Sequence, residues 1–221
     1  MSSEREDFFM PINDPEKRKE ANKRYYEKRK GTRSRGWACI VYPESAPENW
    51  TETLNEAHIE TLISPLHDKD VTAEGSPKKP HYHVLGLWPQ PVPAATAAEY
   101  FGLVGVTAPP EMVKNSKGYA RYLVHMDDHD KHRYAEHDVT ALAGADWYSV
   151  ALDEGEAVNA YLDEIESFVD DNSCISYRAL CGYARECRPE WTEVIRHNTI
   201  HLMAYIKSFE WEIKMDSLKN S

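Results

Sequence analysis

Between residues 37 and 145, short β-prone runs alternate with short helix-prone runs, and this order constrains the fold more than any other feature of the chain. WACIVY (37–42) is rich in aromatic and β-branched residues and is stopped by Pro43. ENWTETLNEA (48–57) is a short helix entered through Pro47. IETLISPL (59–66) reads as a second strand. After the polar turn KDVTAEGSPKK comes HYHVLGLW (81–88), a third strand that the prolines at 89, 91 and 93 end. AATAAEYFGL (94–103) is a small helix, EMVKN (111–115) a fourth strand and GYARYLVHM (118–126) a helix, with an edge strand near 132–142. A β-α-β-β-α-β order predicts an α+β fold of ferredoxin-like type, an antiparallel sheet with flanking helices on one face.

The flanks differ from this middle. Asp14-Pro15 has the form of an N-cap followed by Pro at the first helical position, and Gly31 that of a stop. The helix between them has little apolar surface beyond Ala21, Tyr25 and Tyr26, so it is expected to be poorly anchored and to order on binding. Residues 31–36 read as a linker. From about residue 150 apolar residues recur at helical spacing, as in Val158, Tyr161, Leu162, Ile165, Phe168 and Val169, and again in Trp191, Val194, Ile195, Leu202, Ile206, Phe209 and Ile213. The expected division is a basic extension at 1–36, a sheet domain at 37–147 and a small all-helical C-terminal domain at 148–221. Residues 151–221 carry seven basic and fourteen acidic groups, which suits an oligomerisation unit better than a nucleic-acid-binding one.

The formal charge of −11 argues against a nucleic-acid partner until its distribution is considered. Residues 16–35 hold ten Lys or Arg against three Glu, a net of +7, so the rest of the chain sums to −18. The basic group is Lys17, Arg18, Lys19, Lys23, Arg24, Lys28, Arg29, Lys30, Arg33 and Arg35, a candidate binder of duplex phosphates without sequence preference. Elsewhere an anion must be met by other means, such as a bound cation. No apolar run is long enough to span a membrane, and MSSEREDFFM lacks a signal-peptide pattern, so a cytoplasmic protein is expected. Cys39, Cys174, Cys181 and Cys187 form no C-x-x-C pair and read as reduced, buried thiols.

His81 and His83 are two apart in a strand, so their side chains share a face. His67-Asp68-Lys69-Asp70 follows the neighbouring strand, and pairing of the two strands brings His67 and Asp70 to that face. Three imidazoles and a carboxylate leave coordination positions open, as a catalytic divalent ion requires. This mixed N/O set suits Mn²⁺; Mg²⁺ can replace it at lower affinity, and Zn²⁺ also fits. On the 118–126 helix, Tyr119, Leu123 and Met126 share an apolar face, while Tyr122 lies at its edge, with His125 and His129 continuing along the polar side. His197 and His201, four apart on a helix, are read as structural.

WACIVYPES, ISPLHDKD, KKPHYHVLGLW, GYARYLVHMD and KHRYAEHDV occur in that order. Together they resemble the rolling-circle plasmid replication initiators, the Rep family whose endonuclease domain belongs to the HUH superfamily. The resemblance covers about residues 37–145 and continues more weakly into the helical C-terminus. It implies that 37–147 is an origin-binding and nicking domain, that His67, Asp70, His81 and His83 are metal ligands, and that Tyr122 is the nucleophile, with Tyr119 the runner-up. The implied chemistry is site-specific nicking and rejoining of single-stranded or extruded hairpin origin DNA through a 5′-phosphotyrosine, leaving a 3′-hydroxyl primer. His125 is then a candidate base, and Lys131, Lys78 and Lys79 candidate phosphate holders. No G-x-x-x-x-G-K-[ST] motif is present, so a host helicase and polymerase are the expected partners, with self-association through the C-terminal helices. Within the superfamily the alternative is a relaxase-like or transposase-like nuclease. Of another class is a non-catalytic ferredoxin-like nucleic-acid-binding module, which predicts basic and aromatic residues on the strands. A metal-binding structural domain with Tyr122 buried is a third reading.

Overall fold

The computed structural model describes residues 14–72 and 75–219. Residues 1–13 of the expected extension and 73–74 of the turn before His81 lie outside them. The chain forms two compact units, one ending at Ala151 and the other beginning at Leu152.

The first unit contains α1 (Pro15–Lys28), β1 (Arg33–Val41), α2 (Trp50–Glu56), β2 (Glu60–Ile63) and β3 (Tyr82–Pro93). It continues through α3 (Ala94–Gly102), β4 (Glu111–Val113), α4 (Ser116–Tyr122), β5 (Thr140–Leu142) and α5 (Trp147–Ala151). The five strands form one antiparallel sheet in the order β4-β1-β3-β2-β5. The α+β class follows the sequence pattern, and β5 is the edge strand expected near its end.

Four local features differ from expectation. First, β1 begins at Arg33, so the expected linker is largely strand: Arg33 pairs with Pro93 and Ser34 with Val92, before a bulge between Ser34 and Gly36. Second, β3 runs past its prolines. Leu87 is the last residue flanked on both sides, by Gly36 and Glu60. Beyond it the strand has only β1 for a neighbour, so Pro89 and Pro91 fall in the bulge, where a missing N–H breaks no ladder bond.

Third, helices cover both faces of the sheet. Val84, Gly86 and Trp88 point to the α3 side, where the Trp88 ring lies 5.5 Å from Tyr100 and 6.3 Å from Phe101. His83 points to the opposite side, where its ring lies 6.4 Å from Tyr119 and 5.1 Å from Tyr122 of α4. Gly86 lets the Trp88 indole lie across the strand, for a Cβ at 86 would meet its ring at 2.8 Å and 2.9 Å. Gly86→Ala should therefore displace a core aromatic and cost about 1–3 kcal/mol by overpacking, read as a lower midpoint in thermal or urea unfolding.

Fourth, α1 is anchored. Asp14 caps it, accepting from the backbone N–H groups of Glu16 (3.0 Å) and Lys17 (3.3 Å), and Gly31 follows at φ 85°. Tyr25 is only 6% exposed, its hydroxyl donates to the Pro110 carbonyl, and Arg29 lies 4.0 Å over its ring. Asn22 donates to the Thr107 carbonyl at 3.3 Å. These contacts together do what an apolar stripe does in most helices.

The second unit holds α6 (Glu154–Asp171), α7 (Tyr177–Cys187), α8 (Trp191–His197) and α9 (Thr199–Lys219). Its core includes Tyr161, Ile165, Leu180, Trp191, Ile195 and Leu202. Arg188 bridges Glu164 at 2.5 Å, and Trp191 Nε1 donates to the same carboxylate at 3.2 Å. Only Cys39 is buried; Cys174 and Cys181 are half-buried and Cys187 is exposed, against the expectation of buried thiols, and all four are free thiols. His197 and His201 fall on different helices, and His201 pairs with Glu166 at 2.6 Å. Among the described residues no helix is long and apolar enough to cross a membrane.

Candidate metal centre and tyrosine

The ladder between β2 and β3 continues past β2 and carries the centre. Ser64 N–H donates to the His83 carbonyl at 2.9 Å, and the Ser64 hydroxyl accepts from His83 N–H at 2.9 Å. One step on, His67 and His81 form an isolated antiparallel bridge, with His67 N–H donating to the His81 carbonyl at 2.9 Å. Strand pairing therefore brings His67 opposite His81, as the sequence spacing predicts. All of the cluster is buried: His67 0%, Asp70 5%, His81 7%, His83 6% and His125 1% exposed.

Three of the imidazoles have one nitrogen held by a backbone carbonyl. His67 Nε2 is 2.9 Å from the Leu123 carbonyl, His81 Nδ1 is 2.8 Å from that of Lys79, and His125 Nδ1 is 2.9 Å from that of His132. His83 Nδ1 lies 3.5 Å from the Tyr119 hydroxyl. Donation to those carbonyls leaves a lone pair on the opposite nitrogen, the arrangement that orients metal-ligating histidines. His81 Nε2 and His83 Nε2 face each other at 3.2 Å. His67 Nδ1, His125 Nε2 and Asp70 Oδ1 are buried with no hydrogen-bond partner. Each orphaned atom costs about 1–3 kcal/mol, so three in one pocket point to a group that completes them.

The pocket holds its imidazoles neutral, as metal ligation requires. Burial lowers the pKa of His67 from 6.5 to about 4, against the partial support of the Leu123 carbonyl. Burial also lowers those of His81, His83 and His125. The unfolded chain therefore binds more protons than the folded one below pH 6.5. Stability of the metal-free protein should be full above that value and fall as pH drops from 6.5 towards about 4, read as a declining thermal midpoint.

The ligand atoms of His67, His81 and His83 lie within 4.8 Å of one another, and so do those of His67, Asp70 and His125. His67 is common to both groups. A metal ion therefore fits either group of three; Asp70 falls with His67 and His125 rather than with His81 and His83. Asp70 sits 3.8 Å from His67 Nδ1, and His125 enters as a further imidazole beside it.

The helix carrying the tyrosines ends sooner than the sequence suggests, because Met126 N–H turns back to the Arg121 carbonyl and His125 N–H to that of Tyr122. His125 occupies the left-handed position of this Schellman turn at φ 54°, where glycine is usual. Its ring is buried and points into the pocket rather than along a polar helix face, 4.4 Å from the His67 ring and 5.3 Å from that of Tyr122. Tyr119 is 7% exposed and adjoins His83, whereas Tyr122 is half-buried. The Tyr122 hydroxyl lies 3.5 Å from Lys131 Nζ, and that ammonium is 5.0 Å from the ring centroid. Burial alone would lower the Lys131 pKa, but Tyr122 and Asp128 raise it above the ordinary value, so Lys131 is a cation here. Sequence reasoning missed Tyr134, which stacks on His67 at 4.5 Å with 5° between the rings and accepts from Lys69 N–H at 3.1 Å.

The candidate phosphate binders are dispersed. Lys17 to Lys28 lie on α1, with Lys19 paired to Glu16 and Arg24 to Glu20; Arg29 and Lys30 follow in its C-terminal turn, while Arg33 and Arg35 stand exposed on β1. Lys79 pairs with Glu44 and lies 4.7 Å over the Tyr42 ring.

These features define an α+β protein with a metal-competent histidine centre on its sheet and a half-buried tyrosine beside it. Residues 29–147 match the family described as "Plasmid replication protein, origin binding domain", and residues 156–210 match "Replication protein RepB, C-terminal". A replication protein of Staphylococcus aureus is 31% identical over 82% of this chain and 92% of its own length. The replication protein RepB of Lactiplantibacillus plantarum is 32% identical over 90% of this chain and 91% of its own. The chain belongs to the RepB-type family of plasmid replication initiators, and its first unit is an origin-binding domain.

Proposed function

We propose that the chain initiates rolling-circle replication by nicking one strand of the plasmid origin, single-stranded or extruded as a hairpin, and later rejoining it. The observation that carries this reading is the convergence of the His67, His81 and His83 imidazoles beside a half-buried tyrosine, whose ring lies 5.1 Å from that of His83. His67, Asp70, His81 and His83 would hold the divalent cation, with Mn²⁺ the best match and Mg²⁺ a weaker one. When bound, it supplies charge neutralisation for the scissile phosphate. Tyr122 Oη forms the new bond to phosphorus, and the bond from phosphorus to the 3′ oxygen breaks. The phenol proton passes to solvent, and the departing 3′ oxygen takes one up. Lys131, at 3.5 Å, offsets charge on the tyrosine oxygen as that proton leaves. Tyr119 orients His83 through its hydroxyl, and its burial disfavours it as the nucleophile.

The 5′-phosphotyrosyl bond conserves the phosphodiester linkage, so the strand can be closed again, and the free 3′-hydroxyl primes a host polymerase behind a host helicase. The exposed Ile200, Met203, Trp211 and Leu218 of α9 support self-association through the second unit. The test is a denaturing gel: with Mn²⁺ and single-stranded origin DNA, protein should become covalently attached to the 5′ end of the cleaved strand.

A further inference from the structure

A cleft of about 690 Å³ lies where α1 crosses the open end of β1. β4 pairs only with Gly36–Ala38, so among the described residues the later part of β1 has no neighbour strand on that side. The space is bounded by α1, by Ile40, Val41 and Tyr42, and by the 104–109 segment. Arg18, Arg24, Lys28 and Arg29 of α1 and Lys79 opposite put five cations in its lining; among the described residues that lining contains no carboxylate, although Glu20 pairs with Arg24 and Glu44 with Lys79 from outside it. In a chain of net charge −11 this is a local reversal of sign. Its volume falls within the ~300–1,000 Å³ typical of small-ligand sites.

The cleft adjoins the histidine centre. The Tyr42 ring is 6.3 Å from that of His81, and Lys79, which lines the cleft, holds His81 Nδ1 through its carbonyl at 2.8 Å. Both of its aromatic rings carry a cation, Arg29 over Tyr25 at 4.0 Å and Lys79 over Tyr42 at 4.7 Å.

The geometry points to a binding site for one unstacked nucleotide of single-stranded DNA, its base against the apolar floor and its flanking phosphates on the α1 cations. A duplex keeps its bases stacked inside and cannot supply such a group, whereas an unpaired strand can. The role of α1 is then to close a pocket that selects unpaired DNA, beyond attracting duplex phosphates. The placement of this nucleotide next to a scissile phosphate rests on the nicking reading; the pocket itself does not.

The test is fluorescence anisotropy with the full chain in chelator, where nicking is stopped. The probes are a labelled oligothymidylate, the same strand with abasic sites, and a duplex of equal length. The intact single strand should bind most tightly. Ala21→Trp and Ala108→Trp, which fill the cleft from opposite walls, should each weaken it about tenfold while weakening the abasic strand and duplex less. Arg18→Gln with Lys28→Gln, at exposed positions of α1, should lower the log–log salt slope for the single strand by about 0.7 for each phosphate no longer neutralised. An abasic strand that binds as well as the intact one overturns the nucleotide site, as do Trp variants that melt like wild type and bind single strands unchanged. If the adduct forms with Mn²⁺ but the cleft variants bind normally, the cleft alone falls. If no adduct forms but those variants lose single-strand binding, the nicking reading alone falls.

Discussion

Tyr122→Phe is expected to abolish the covalent protein–DNA adduct, lowering cleavage by about 10⁴–10⁶-fold, the scale seen when an enzyme loses its nucleophile. The substitution removes one oxygen and little else. The ring keeps its place 5.1 Å from His83 and 5.3 Å from His125, so the helix and the metal pocket stay intact. The hydrogen bond from Lys131 at 3.5 Å goes with the oxygen, at a half-buried position where such a bond contributes about 1 kcal/mol or less to stability. DNA affinity, measured in chelator, should therefore change little while chemistry stops. Tyr119→Phe supplies the contrast. Its hydroxyl adjoins His83 Nδ1, so the variant should still form the adduct but bind metal more weakly. An adduct that persists in Tyr122→Phe and vanishes in Tyr119→Phe would reverse the two roles.

The parts of this site legible in the sequence are those set by strand geometry. Residues two apart in a strand share a face whatever surrounds them, and antiparallel pairing of two runs separated by a short turn brings His67 opposite His81. What the sequence did not reveal depends on where the chain goes between elements. Nothing in GYARYLVHM says that its helix lies over the His83 face or stops early enough to swing His125 inward, because both follow from the turn after Tyr122 and from packing around Leu123. The prolines of β3 were misleading for a similar reason: whether a missing N–H matters depends on the neighbouring strand, and past Leu87 there is only one, beyond a bulge. α1 lacks the apolar stripe that signals docking, yet the buried Tyr25, with Tyr26 packed on the core and Asn22 bonded to Thr107, seats it. Charge told more by its position than by its sum, since the five cations of the cleft belong to a chain that is acidic overall.

His83→Ala is expected to remove metal binding and with it the metal-dependent part of stability. The neutral, buried imidazoles cost free energy in the metal-free protein, and a divalent ion that binds only the folded state offsets that cost by mass action. At a hundredfold excess over Kd the gain is about 2.7 kcal/mol, and at about 2–4 °C per kcal/mol in a chain of this size the thermal midpoint should rise by roughly 5–10 °C. Chelator should return it to the metal-free value. His83 faces His81 Nε2 at 3.2 Å within the three-imidazole group, so its loss leaves that group two donors, and His81→Ala should behave alike; His67→Ala, which breaks both groups, should weaken binding at least as much. Asp70→Asn should weaken binding by about 10–100-fold, and His125→Ala, whose ring stands beside Asp70 rather than among the three converging imidazoles, by less. The same ordering should appear in Mn²⁺-dependent nicking, and because burial keeps the imidazoles neutral below pH 6.5, metal affinity should hold through that value and drop only towards about pH 4, where protons compete for His67. A midpoint that rises with Mn²⁺ in His83→Ala as much as in wild type would place the ion elsewhere, and cleavage undiminished in chelator would separate the chemistry from the histidine centre altogether.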